Sequence, residues 1–189
     1  MSTRTTLILL GVLLALGAVA VVTQGPGSPD RVREHSLAFP GLVAGDVLAV
    51  RAARAGGELL LARDGAGWKL GAAREPADGA AVARLLSDLA SLRVSAVVSK
   101  NAAKQAAYET TPEQGAAVRL EGAGGVTLAA FVVGKHGPDG VSCYLRRDGA
   151  TEVLLVSADL RSPLYRPDQS WREPPRDTGN PSDKPAGKP

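Results

Sequence analysis

Two histidines, one cysteine and nineteen carboxylates are the side chains with which this sequence could do chemistry, and their spacing decides whether they can. A zinc site needs three or four His, Cys or carboxylate ligands, usually at recognisable short spacings. His35 and His136 each stand without a partner at such spacing, so neither a metal nor a metal cofactor is expected. His136 lies in "GKHGPDG", residues 134–140, a polar loop in which a lone imidazole is expected to be solvated. Cys143 lies in "GVSCYLRR", where Val141, Cys143 and Leu145 alternate with Ser142, Tyr144 and Arg146. That period of two places the sulfur on the apolar face of a strand, as a small buried hydrophobe. A reactive thiol needs basic or helix-N-terminal neighbours, and the local sequence guarantees neither.

The motifs of nucleophilic catalysis are missing. There is no Gly-x-Ser-x-Gly elbow and no Ser-x-x-Lys with its usual companions. "GKH" at 134–136 lacks the glycine five positions earlier that a phosphate loop requires. "GAGWKLG" and "EGAGG" are glycine-rich, but they read as hairpin turns rather than strand-to-helix nucleotide fingerprints. Two carboxylates brought together by folding, Glu121 and Glu152 for example, would be the remaining route to hydrolysis. No catalytic residue and no cofactor emerge, and the chain is expected not to be an enzyme.

Binding chemistry leaves a little more. Trp68 and Tyr144 are the aromatic residues placed to contact a ligand or partner from a sheet face, while packing within the core is the plainer use of such rings. The net charge is +3, from 22 basic and 19 acidic residues, and the longest basic run is the pair Arg146-Arg147. Nucleic-acid binders concentrate positive charge in a patch or stripe, so no nucleic-acid partner is expected.

The elements that would position these residues follow from periodicity. "DVLAVRA" (46–52), "ELLLARD" (58–64) and "WKL" (68–70) read as strands joined by glycine turns. "PADGAAVARLLSDLASL" (76–92) reads as the principal helix, capped by Asp78. Val82, Leu85, Leu86, Leu89 and Leu92 form its single apolar stripe. "RVSAVVS" (93–99) returns as a strand, and "NAAKQAAYETTP" (101–112) suits a short helical turn stopped before Pro112. "AAVRLE", "VTLAAFVV", "VSCYLRR" and "EVLLVS" are four more strands. The second and fourth are apolar on both faces and therefore expected to lie centrally. "SADLRSPLY" (157–165) begins as a capped short helix that Pro163 should cut at Ser162. The expected fold class is α+β, a mainly antiparallel sheet with one principal packed helix.

The amino-terminal segment is different in kind. Leu7–Val22 holds eleven Leu, Ile or Val in sixteen residues. With Thr5, Thr6 and Thr23 as flanks, a helix of this length reaches about 28 Å, enough to cross a hydrocarbon core. Residues 1–23 are expected to be a single-pass transmembrane anchor, with the lipid bilayer as first partner. The alternative is secretion after cleavage near Ala20, since Arg4 supplies a basic leader and "AVA" fits the small-x-small rule. Both readings place the following domain outside the cytoplasm, with the short amino terminus inside. Gly11, Ala15 and Ala18 line one helical face on which another transmembrane helix could pack, although such residues also occur as filler. Residues 24–36 read as a flexible linker, 37–172 as the extracytoplasmic domain and 173–189 as a disordered tail. In that tail five of seventeen residues are proline.

The order "FPGL", "LLLARDGAGWKL", "PADGAAVARLLSDLASLRVSAVVS" and "VGKHGPDGVSCYLRRDGATEVLLVS" resembles the domain of unknown function 4340 family, over roughly residues 37–172. Trp-x-Leu followed by Pro-Ala-Asp and the leucine helix is the most specific part. Where members often read Tyr-Gly-Leu-x-Pro, this chain has "YETTP", Tyr108–Pro112, and it carries one short copy where many relatives carry more. The resemblance implies a bacterial envelope protein with an anchor helix. It is similar to components that accompany ABC-type export and gliding-motility systems, and it implies no catalytic residues. The leading expectation is a non-enzymatic accessory protein of the inner membrane, with protein partners in a membrane complex. The alternatives are a binding module for an envelope glycan or lipoprotein segment, and a carboxylate-dependent hydrolase.

Overall fold

The structure, a computed structural model, describes residues 35–174. The apolar run at 7–22, the Gly11, Ala15 and Ala18 stripe, Ala20 and the tail beyond Pro174 lie outside the described residues. Among the described residues no helix is long and apolar enough to cross a membrane.

Nine strands form one sheet: β1 (Ala49–Arg54), β2 (Gly57–Asp64), β3 (Gly67–Leu70), β4 (Glu75–Ala77), β5 (Val94–Ser99), β6 (Ala116–Glu121), β7 (Thr127–His136), β8 (Cys143–Arg147) and β9 (Val153–Val156). Their spatial order is β4-β3-β2-β1-β6-β7-β8-β9-β5, and every neighbouring pair is antiparallel. Among the described residues two α-helices, α1 (Gly79–Ser91) and α2 (Arg161–Tyr165), complete the fold. The class is α+β.

Alternation along the strands builds the core. Val50, Leu61, Leu70, Val118, Phe131, Leu145 and Leu154 point to one face of the sheet and are buried there. Val82, Leu85, Leu86 and Leu89 of α1 join the same apolar cluster. The Asp78 carboxylate starts that helix by accepting from the amides of Ala80 and Ala81, at 2.9 and 3.0 Å. The helix begins at Gly79, because Glu75–Ala77 instead pairs with β3 as a short edge strand. Residues 36–44 cross the same face, and Phe39 meets Phe131 with ring centroids 4.7 Å apart.

Among the described residues the opposite face is covered at one end only. Residues 101–115 form two 3₁₀ turns, Ala102–Lys104 and Ala106–Tyr108, and lie against the backs of β7 and β8. This explains why β7 is apolar on both sides. Val133 faces the core, and Val132 is buried from the other side. A side chain at Gly134 would collide with the Tyr108 carbonyl oxygen, and one at Gly115 with the carbonyl oxygens of Glu109 and Val133. Both positions are glycine because backbone passes there.

Three sequence expectations need correction. β9 is not central; it lies one place from the edge, shielded by β5 returning from α1. Pro163 does not cut a helix at Ser162, for α2 runs Arg161–Tyr165 with Pro163 inside its first turn, where no amide donor is needed. The alternation through 141–147 also breaks. Val141 is exposed, while Ser142 and Arg146 are buried with Cys143 and Leu145.

Candidate functional site

The chemistry-bearing residues converge where β7 ends beside α2. His136, the last residue of β7, places Nε2 3.2 Å from Oδ1 of Asp159 and 3.5 Å from Oγ of Ser162. The Ser162 hydroxyl donates to Oδ2 of Asp159 at 2.5 Å. His136 is therefore not a lone solvated loop residue, as its sequence context suggested. Ser162 and Asp159 were invisible as its partners because they lie more than twenty positions further along the chain.

Serine, histidine and aspartate together invite comparison with a hydrolytic triad. A triad needs the imidazole to use one nitrogen toward the serine and the other toward the carboxylate. Here both contacts fall on Nε2, and the hydroxyl proton is directed at the carboxylate instead. Asp159 also accepts from the amides of Arg161 and Ser162, at 2.9 and 3.1 Å, which holds the start of α2. Burial works to raise its pKa. The Ser162 hydroxyl, the Ser162 amide, His136 and the Arg161 amide outweigh that and hold the carboxyl below its ordinary range. A carboxylate so stabilised is a poor base. The geometry is that of a helix clasp.

The remaining candidates are dispersed. Glu121 is paired with Arg51 at 3.1 Å, and its strand β6 is separated from β9, which follows Glu152, by β7 and β8. The fold does not bring these two carboxylates together. Cys143 is buried, its thiol donates to the Ala158 carbonyl at 3.2 Å, and burial raises its pKa to about 11. His35 lies at the sheet edge, its amide donating to the Val94 carbonyl. Among the described residues no three His, Cys, Asp or Glu come together in a metal-binding group.

Trp68 and Tyr144 are also kept apart. Trp68, on β3, is only 6% exposed and packs toward the start of α1. Tyr144, on β8 toward the opposite end of the sheet, packs tilted against Tyr108 of the covering segment, ring centroids 4.7 Å apart. The two rings share no groove.

Two of the surface regions among the described residues form grooves with apolar or aromatic linings. One is a pair of adjoining grooves at the β6–β7 turn, about 420 and 450 Å³, with Leu128 and Asp46 lining both. Val43 lines the first and Val126 the second, and all three apolar side chains are exposed. The other is a groove of about 420 Å³ between α1 and α2. Trp171 lines it, and the guanidinium of Arg166 lies 3.5 Å above the indole ring. The sequence carries no motif or periodic signal for the contact of Arg166 with Trp171.

Among the described residues, fold and site define a small antiparallel α+β domain with surface grooves and no assembled triad. The model of a known family, Domain of unknown function (DUF4340), matches residues 68–175, more than half of the chain. The chain belongs to that family. The match begins at Trp68, so the resemblance of the preceding strands lies outside it. No curated protein and no solved structure matches the chain.

Proposed function

We propose that this protein is a membrane-anchored accessory protein, held by residues 1–23, whose α+β domain makes protein contacts outside the cytoplasm in an envelope or transport complex. The observation that carries the contact surface is the exposed trio Val43, Val126 and Leu128 on adjoining grooves. Scattered single apolar residues are ordinary on a surface, whereas apolar side chains grouped around concave features mark interaction sites. The apolar run Leu7–Val22 supports the anchor. The dispersal of Glu121, Glu152 and Cys143 and the misdirected Ser162 proton weigh against hydrolysis.

The test uses the full-length chain in membranes of living cells, with a photo-crosslinking residue at position 128. A discrete adduct that disappears with Val43→Asp and Val126→Asp supports the reading. Recovery of the chain from the cytosol, or crosslinking to lipid and water alone, overturns it. Protease cleavage of the tail from the external side of sealed spheroplasts would support the sidedness.

A further inference from the structure

Four buried side-chain donors among the described residues have no hydrogen-bond partner: Nη1 of Arg54, Nε and Nη2 of Arg166, and Nε1 of Trp171. Native folds leave few such atoms, and here all four fall in one cluster. Arg166 stacks on Trp171 at 3.5 Å, and Nη2 of Arg54 reaches the Arg166 carbonyl at 3.4 Å. The burial is deep. Trp171 is 1% exposed and the Arg54 side chain 8% exposed.

The nearby carboxylates do not serve these donors. Asp168 takes the other terminal nitrogen of Arg54 at 2.6 Å. Asp78 spends Oδ1 on the start of α1, and Asp159 is held by Ser162, His136 and two amides. Every unpaired atom is a donor, and three of the four belong to residues lining the α1–α2 groove. These donors are left without a counterpart although Asp88 and Asp159 also line the groove. A planar guanidinium is matched best by the two oxygens of a carboxylate, and an indole N–H beside it adds a third bond.

We infer that the α1–α2 groove binds a carboxylate-bearing peptide segment, with Arg166 and Nε1 of Trp171 holding the carboxylate. The inference rests on the reading of the domain as a protein-contact module and names the chemistry of one contact. A peptide fits better than a bare anion because the groove walls are mixed in charge. Arg84 and Asp88 both line the α1 side, so a backbone or side-chain donor beside the carboxylate finds an acceptor in Asp88. In the free protein the partly buried Arg166 lies over the indole, and its Nε and Nη2 and the indole Nε1 are closed to water. An arriving carboxylate draws the guanidinium outward, pairs it, and uncovers Nε1. Burial lowers the pKa of Arg166, partly opposed by Asp78.

The sequence holds two tryptophans, so a full-length chain labelled with ¹⁵N-tryptophan in detergent micelles gives two indole N–H signals, assigned with Trp68→Phe. The probes are the blocked tripeptide acetyl-Ala-Glu-Ala-amide, its Gln counterpart and inorganic phosphate. The expected result is a saturable downfield shift of the Trp171 signal with the Glu peptide, while the Trp68 signal stays fixed. Binding of the Gln peptide should be about tenfold weaker or more, and Arg166→Gln should weaken the Glu peptide comparably. An unchanged Trp68 signal in that variant shows that it folds, and Arg84→Gln, at the groove rim, should leave a measurable but smaller loss. No saturable shift with the Glu peptide, equal response to the Gln peptide, or response to phosphate alone overturns the inference. Because the titration needs no partner, its failure alongside intact crosslinks at position 128 removes the groove and leaves the accessory role standing.

Discussion

Nε of Arg146 donates to the carbonyl oxygen of Thr110 at 2.8 Å, and both residues are buried behind the sheet. This bond joins β8 to the segment that covers it. The same guanidinium reaches the Ala150 carbonyl with Nη1 at 3.4 Å, so one side chain ties a strand, a turn and the covering segment together. Arg146→Met keeps the length of the stem but leaves the Thr110 carbonyl without its charged donor. The expected loss is about 1.5–3 kcal/mol, read as a lower urea midpoint at unchanged slope.

Gly134→Ala tests the same interface from the other side. The added Cβ meets the Tyr108 carbonyl and approaches Cγ2 of Thr110 to 2.8 Å, where backbone cannot retreat cheaply. The expected destabilisation is about 1–3 kcal/mol, with weakened protection of the 101–115 amides in hydrogen exchange. Gly149→Ala is the control for position rather than space. Gly149 has positive φ but open surroundings, so hydrogen exchange in the covering segment should not change.

The thiol of Cys143 gives a test of burial. A pKa of about 11 and a hydrogen bond to Ala158 predict negligible reaction with a disulfide reagent at pH 8 in the native state. Reaction should proceed at the rate of global unfolding and accelerate in urea in step with the unfolded fraction. Fast stoichiometric labelling without denaturant would show that the strand end opens locally.

Asp159 sets a pH dependence. Its folded pKa lies below the ordinary 3.8, so it contributes stability that is fully present above that value. As pH falls below it toward the depressed folded value, the contribution is lost, because protonation frees the start of α2. Asp159→Asn should flatten the stability–pH curve in that acidic window and leave the neutral-pH curve lower and parallel. The check is urea unfolding at a series of pH values for both proteins.

How much of this was legible in the sequence varies by the range of the interaction. The α1 stripe and its Asp78 cap are local patterns, and both appear where the sequence placed them. Hairpin strands were equally readable, because turn glycines and alternation act within ten residues. The edge strand at Glu75–Ala77 was hidden by its Pro-Ala-Asp context, which looks like a helix start. Burial of Arg146 was not readable, since it depends on a carbonyl contributed from far along the chain. The clasp of His136, Asp159 and Ser162 escaped for the same reason. Each is made by elements that meet only in the folded state.

The pairings at the two ends of the described domain fall on opposite borders of the sheet. Leu37 bridges to Arg93 beside β5, whereas Arg172 bridges to Ala77 on β4, and the Glu173 amide reaches the Pro76 carbonyl. Nine strands lie between entry and exit, roughly 38 Å measured along the pleated surface. Any tug between a tether before Leu37 and something gripping the chain after Glu173 would thus travel sideways through every ladder in turn. The weakest ladder, not the strongest, would set how much mechanical load the module withstands.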